Sequence, residues 1–249
     1  MIRPLTLALL IAVAATPIAA KQAPAPSYKA ALADPARPAT DRERDAVRKP
    51  AELLAFAQIK PGQKVGDYVM GGGYVTRLLA AAVGSTGKVF AFQPAEFIKF
   101  KAQYGTDQAA VDAAYANVDA VAGPFAAPAF PEPLDVIITV QNFHDLYLKP
   151  FPAGTGDKAS AALFAALKPG GALIVVDHSA AKGSGTTLSD SLHRIDKDAV
   201  IAALAKAGFK LEAESKLYSR PADPRTANVF DASIRGKTDQ FMLRFRKPD

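Results

Sequence analysis

The 249-residue chain contains no cysteine. That excludes a disulfide scaffold, a thiolate metal site, a cysteine nucleophile and a lipidated N-terminal cysteine. Neither sign of charge dominates. Thirty Lys and Arg against 24 Asp and Glu leave +6, scattered along the chain. Such an excess slightly favours anionic small molecules and is no nucleic-acid footprint. Glycine (17) and proline (19) are too few for a collagen-like or low-complexity chain. Histidine is scarce, at three residues, so imidazole chemistry is confined to His144, His178 and His193. There is no internal repeat, and beyond the N-terminus no apolar run is long enough to span a bilayer. What is abundant is hydrophobic side chain, 49% of the residues, which excludes a disordered chain.

The first twenty residues, MIRPLTLALLIAVAATPIAA, carry one charge, Arg3, then an apolar stretch from Leu5 to Ala15, then small residues ending at Ala20. This three-part pattern predicts a signal peptide cleaved after about Ala20, hence a periplasmic or secreted protein with no membrane anchor after cleavage. Residues 21–40 are rich in Pro and Ala and are expected to form a flexible tail. Residues 41–49 are dense in charge. They read as a solvated helical face, the alternative being a basic lid over an anionic ligand. The folded domain is therefore expected over 41–249.

From Pro50 onward, apolar strands alternate with helical stretches. Strands are predicted at 64–69, 88–93, 117–123, 134–141 and 172–179, with helices at 50–59, 74–83, 96–104, 107–116, 158–167 and 197–207. Asp196 caps the last helix. Uninterrupted apolar strands alternating with helices imply a parallel sheet covered on both faces. The final strands, 209–218 and 239–247, alternate apolar and polar residues like an antiparallel edge pair. Ligands of such sheets bind beyond the carboxyl ends of the strands. Attention therefore falls on the residues just after each strand.

After the first strand come Gly71, Gly72 and Gly73. Three consecutive glycines let backbone approach a ligand closely, and the helix beyond offers free N–H groups to an anion. The dinucleotide fingerprint would need a third glycine where Thr76 stands, and the Gly-Lys-Ser/Thr of a phosphate loop is missing.

The segment VGDYVMGGGYVTRLLA resembles the first motif of the S-adenosylmethionine-dependent methyltransferases. That motif is an acidic residue followed by glycines two, four and six positions on. Asp67 is the acid, Gly71 and Gly73 fill the second and third glycine positions, and Val69 replaces the first. DVIITVQNFHDL is similar to the family's fourth motif, and LKPGGALIVVDH to the segment entering its fifth strand. Together with DRERDAVRKP, LHRID and RGKTDQF, these strings resemble an exported bacterial branch of predicted methyltransferases. The resemblance covers about residues 41–248. It implies a Rossmann-like, doubly wound, mostly parallel seven-stranded sheet with an antiparallel edge strand and helices on both faces. It also implies S-adenosyl-L-methionine as cofactor and a small-molecule substrate, with no nucleic acid.

On that resemblance, Gly71, Gly72 and Gly73 meet the cofactor's carboxylate, and Asp67 its ammonium, or else Asp67 braces the loop. Gln93 and Glu96 stand at the ribose, and Asn142 lies beside the cofactor. Two positions depart from the family: Gln93 replaces a ribose-binding acid, and Pro124 follows Gly123 where an adenine-contacting Asp is usual. His144, with Asp145 and His178 near it, is the candidate catalytic group, an imidazole able to take a proton from a substrate hydroxyl. His193 reads as a loop hydrogen-bonder, Arg194 as a brace to Asp190 or Asp196, and Tyr74 and Phe143 as core. No H-x-x-x-H spacing occurs, so no metal ligand is assigned. Two alternatives stand: a non-catalytic binding protein on a methyltransferase scaffold, and a metal-assisted hydrolase using His144 and His178.

Overall fold

The computed structural model describes residues 28–249. The expected signal peptide and the first residues of the expected tail lie outside the described residues. The described residues open with three short helices, α1 (Lys29–Leu32), α2 (Ala39–Arg42) and α3 (Asp45–Arg48), then α4 (Pro50–Ala57). There follow β1 (Lys64–Tyr68), α5 (Tyr74–Val83), β2 (Lys88–Pro94), α6 (Ala95–Phe100), α7 (Gln103–Ala114), β3 (Val118–Gly123) and β4 (Leu134–Val140). The second half holds α8 (Thr155–Ala166), β5 (Leu167–His178), α9 (Ser189–Leu192), α10 (Lys197–Lys206), β6 (Lys210–Ser215) and β7 (Gln240–Arg246). Among the described residues no helix is long and apolar enough to cross a membrane.

The seven strands form one sheet in the order β3-β2-β1-β4-β5-β7-β6. β1 to β5 pair in parallel, and β7 runs antiparallel to both of its neighbours. The antiparallel strand therefore sits one place in from the edge, which β6 occupies. Side chains alternate across the pleat and fill two cores. Val65, Ile138 and Ile174 face α4, α5 and α7. Ile137, Leu173 and Val175 face α8 and α10. Burial on both faces explains why the central strands are continuously apolar. It also fixes their carboxyl ends on one rim, where β1 and β4 pair through Asp67 and Ile138.

The segment from residue 28 to 40 is not a flexible tail. Tyr28 is buried, and its hydroxyl lies 3.1 and 2.9 Å from the carbonyl oxygens of Leu54 and Ile59. Arg37 is 1% exposed. It grips Asp45 through two hydrogen bonds of 2.6 and 3.0 Å and donates a third to the Leu32 carbonyl at 2.7 Å. Tyr115 donates to Asp34 at 2.7 Å. The domain thus begins well before residue 41. Pro/Ala composition describes a segment with no apolar face of its own, whereas this one is held by polar side chains whose partners lie elsewhere.

Replacing Arg37 by leucine should lower the stability by about 2 kcal/mol, because Asp45 loses its buried partner but keeps Tyr74 and some solvent. Urea unfolding measures this; a midpoint equal to wild type would mean the segment is detached in solution.

Candidate active site at the strand ends

The first wall of the site is the exit from β1. Val69 has φ 66° and Gly71 and Gly73 have φ 57° and 81°, so the chain turns through left-handed backbone before α5 begins. A β-branched residue in that region is an outlier costing about 1–3 kcal/mol, held only by its surroundings. Asn142 supplies part of that hold, donating its amide to the Val69 carbonyl at 3.2 Å and to Val140 at 2.7 Å. The β1 and β4 exits are thereby tied together. Gly71 donates its N–H to Gln93 Oε1 at 3.0 Å, and Gly73 to the Met70 carbonyl at 2.9 Å. Arg77 joins the bend to α2, bonding the Gly72 carbonyl at 2.9 Å and Asp41 at 2.7 Å. Behind the bend, Asp67 accepts from the Thr76 hydroxyl at 2.6 Å. Burial raises its carboxyl to about 6 against the opposing pull of Thr76 and Arg77.

The second wall is built by the connections after β4 and β5. Asp177, fully buried, takes the His144 backbone N–H at 2.8 Å on one oxygen. Its other oxygen meets His144 Nδ1 at 2.8 Å and the His178 N–H at 2.7 Å. His144 Nε2 lies 3.1 Å from Asp145 Oδ1 and 3.3 Å from His193 Nδ1. Burial works against a charged imidazole, but Asp177 and then Asp145 outweigh it and push His144 up to about 10. Burial also opposes charge on Asp145, yet His144 and His193 hold its carboxyl below the usual range. His178 goes the other way: burial lowers it to about 4, and its Nδ1 meets the Thr238 hydroxyl at 2.8 Å.

These positions bear on the expected roles. The carboxylates of Asp177 and Asp145 favour the charged form of His144, which works against the role of proton acceptor. Burial favours the neutral form of His178, whose Nδ1 is engaged by Thr238. His193, read as a loop residue, comes to the centre of the group. It sits at φ 52° just after α9, its ring edge-on to Phe230 at 4.9 Å. Nothing local in the sequence marks it, since its partner is 49 residues away. Its neighbour Arg194 is wholly buried and pairs with Asp223 at 2.8 and 3.2 Å, not with Asp190 or Asp196. Asp196 caps α10 as expected, accepting from the Asp198 N–H.

Between the two walls lies a cavity of about 940 Å³. Asp67, Gly71, Gly72, Glu96, Asn142, His144, Asp145 and His178 all line it. Gly73 and Gln93 do not. Gly73 forms the turn, and Gln93, at 0% exposure, spends its carbonyl on Gly71. In this structure both brace the bend, and the Gln93 side-chain amide nitrogen is buried without a partner. Glu96 is exposed at the rim, its carboxylate taking the Phe125 N–H at 3.0 Å. Arg44 and Arg48 also line the cavity, with their guanidinium carbons 5.1 and 4.8 Å from the Tyr74 ring centre. The charged stretch 41–49 is therefore a wall of the site and not a purely solvated face.

No protein-family model matches the sequence, and no curated protein matches it. Solved structures do resemble the fold. A SAM-dependent methyltransferase from Aquifex aeolicus superposes with a TM-score of 0.57 at 19% identity, covering 87% of this chain and 96% of that one. A SAM-dependent O-methyltransferase from Thermotoga maritima gives 0.51 at 18% identity, covering 85% and 72%. The [4+2]-cyclase SpnF gives 0.59 at 16% identity, covering 82% and 81%. The architecture is the Rossmann-like fold of SAM-dependent methyltransferases, and at these identities the likeness concerns the fold alone.

Two predictions follow from the first wall. A Cβ on Gly73 would stand 2.6 Å from a Val111 methyl in left-handed backbone, whereas one on Gly72 meets nothing nearer than 3.8 Å. Gly73→Ala should cost about 2–4 kcal/mol, and Gly72→Ala within about 0.5 kcal/mol, in equilibrium unfolding. Asp67 also leaves a pH signature. Its native pKa, raised from 3.8 to about 6, means that the folded state holds a proton which the unfolded chain has already released. The stabilisation is fully present below about pH 4 and gone once pH has risen through about 6, in all about 3 kcal/mol. Unfolding free energies of Asp67→Asn should lack that fall between pH 4 and 6; an unchanged profile would assign it to another group.

Proposed function

We propose that this chain is an S-adenosylmethionine-dependent methyltransferase acting on a small anionic molecule. The observation that carries the reading is the cavity's place: it opens at the carboxyl ends of β1, β2, β4 and β5, against the Gly71–Gly73 bend and the first turn of α5. This is where open α/β sheets bind ligands. Its volume of about 940 Å³ lies near the upper end of the range for small-molecule sites, about 300–1,000 Å³. It therefore has room for a nucleoside donor and a second molecule.

The residues present suit the donor. Backbone around Gly71 and Gly72 and the amides opening α5 suit a carboxylate. Asp67 suits an ammonium, whose approach would favour its charged form. Glu96, three positions beyond Gln93, supplies the rim carboxylate for ribose hydroxyls. Phe97, Tyr104 and Phe151 give the same side of the cavity an apolar, aromatic surface fit for a base. When bound, the donor supplies an electrophilic methyl group. The chain's own work is alignment and exclusion of water. Among the described residues neither Arg44 nor Arg48 has a carboxylate partner within ion-pair distance, and both face the cavity. An acceptor bearing negative charge would satisfy them. The N-terminal export pattern makes this enzyme periplasmic or secreted in the proposal.

Calorimetric titration with S-adenosylmethionine and S-adenosylhomocysteine tests the reading. Both should bind saturably, and Asp67→Asn should weaken adenosylmethionine by about tenfold or more, the worth of one charge-assisted hydrogen bond. Failure of both ligands to bind at millimolar concentration would sink the proposal. Binding without transfer to any acceptor would make the chain a carrier on a methyltransferase scaffold.

A further inference from the structure

We propose that His144, Asp145 and His193 form a binding site for one divalent transition-metal ion, open to the cavity. The proposal concerns this chain's side chains and does not depend on the methyl donor. Three potential ligand atoms converge: His144 Nε2, Asp145 Oδ1 and His193 Nδ1. Their separations are 3.1, 3.3 and 3.8 Å. Ligands about 2.0–2.1 Å from a tetrahedral ion stand about 3.3–3.4 Å from one another. The observed triangle brackets that spacing, so one ion can reach all three atoms with small adjustments of side-chain torsion.

A hydrogen-bonded reading of the same triangle is incomplete. His144 Nε2 carries at most one hydrogen and has two acceptors in reach, so one contact is left without a proton. A cation engages all three lone pairs together, taking the place of that proton.

The surroundings are those of a held ligand set. His144 Nδ1 bonds buried Asp177 at 2.8 Å, the carboxylate–histidine arrangement that fixes the tautomer of a metal-bound imidazole and turns its other nitrogen outward. The Asp177 bond to the His144 backbone N–H fixes the main chain as well. On the other side, His193 is set by the buried Arg194–Asp223 pair one residue on, and the Lys149 N–H bonds Asp190 at 3.0 Å, joining the two connections. Side-chain exposure rises from 4% at His144 through 13% at Asp145 to 26% at His193. The fourth position therefore faces the cavity, free for water or an oxygen atom of a bound molecule.

Two nitrogens and one oxygen, with no thiolate, select zinc, cobalt, nickel, manganese or iron over magnesium and calcium, which prefer all-oxygen cages. His178 is not part of the set. Its ring centre is 6.0 Å from that of His144, and its Nδ1 is engaged by Thr238.

The test is equilibrium dialysis of the tag-free, chelator-stripped chain against Zn²⁺, with metal counted by mass spectrometry, and Co²⁺ titration followed by visible absorption. One ion per chain is expected. His193→Asn, which tolerates the left-handed backbone, and Asp145→Asn should each weaken Zn²⁺ by at least about tenfold and change the Co²⁺ bands. His178→Gln should bind as wild type, and thermal melting should show all three variants folded. No stoichiometric binding, or binding unaffected by both His193→Asn and Asp145→Asn, overturns the site. Since no adenosyl ligand enters the measurement, a chain that binds the ion but not S-adenosylmethionine keeps this site and loses the methyl-transfer reading, and the converse separates them equally.

Discussion

The arrangement of the cavity depends on one buried carboxylate, Asp177, at the end of β5. It is fully enclosed, and the group beside it is the imidazole of His144. An unpaired charge there would be strongly destabilising, so the pair must form with good geometry and with its remaining lone pairs occupied. Asp177 meets that condition with two backbone N–H groups, those of His144 and His178. In satisfying itself it draws the connection after β4 onto the end of β5. Asp145 follows because it is the next residue, and His193 follows because its loop packs on the same turn. The second wall of the cavity is thus a consequence of how one charge is buried.

The strained backbone points to the same place. Six non-glycine residues among those described have positive φ, and three of them, Val69, Gln141 and His193, line the cavity. They stand at the exits of β1 and β4 and at the approach to Arg194. Each exit must turn sharply to leave the sheet and still aim its next side chains at the rim. Strain of this kind persists only where neighbours over-determine it. Here Asn142 bridges the two exits, and Arg194 anchors the turn at His193.

Much of the scaffold was legible in the sequence, and the reasons are local. Helix α5 runs over Tyr74–Val83 as its pattern predicts, because glycines bound it on both sides. The central strands are legible because burial on both faces demands unbroken apolar runs. The start of β5 was not: Pro169, Gly170 and Gly171 imitate a turn, yet the strand already pairs at Leu167 and passes them across an irregularity in its register with β4. The glycine bend and the rim residues of the site were found by fold logic, since parallel strands present their ends together. The pairings were not, because Tyr28–Ile59, Arg37–Asp45 and His144–His193 each join chain positions that no spacing rule relates. Roles were harder still. Spacing does not show the two carboxylates around His144 or the bond from the Gly71 N–H to the Gln93 carbonyl.

The cavity's two walls differ in chemistry, and that difference bears on how such a fold changes function. On the β1 side the groups offered are backbone amides and a carboxyl, Asp67, whose proton is loosely poised. On the β4–β5 side they are imidazoles and carboxylates locked in pairs. The first wall belongs to the sheet: its geometry is set by strand register and a glycine bend that cannot change without moving α5. The second is made of loop residues carried on Asp177 and on the Arg194–Asp223 pair. Substitutions there can alter charge, ligating atoms and shape while the strands stay in place. SpnF, named a cyclase, shares the architecture with enzymes named methyltransferases. The architecture therefore does not choose the reaction. In this chain the wall free to vary is the one that holds all three of its histidines.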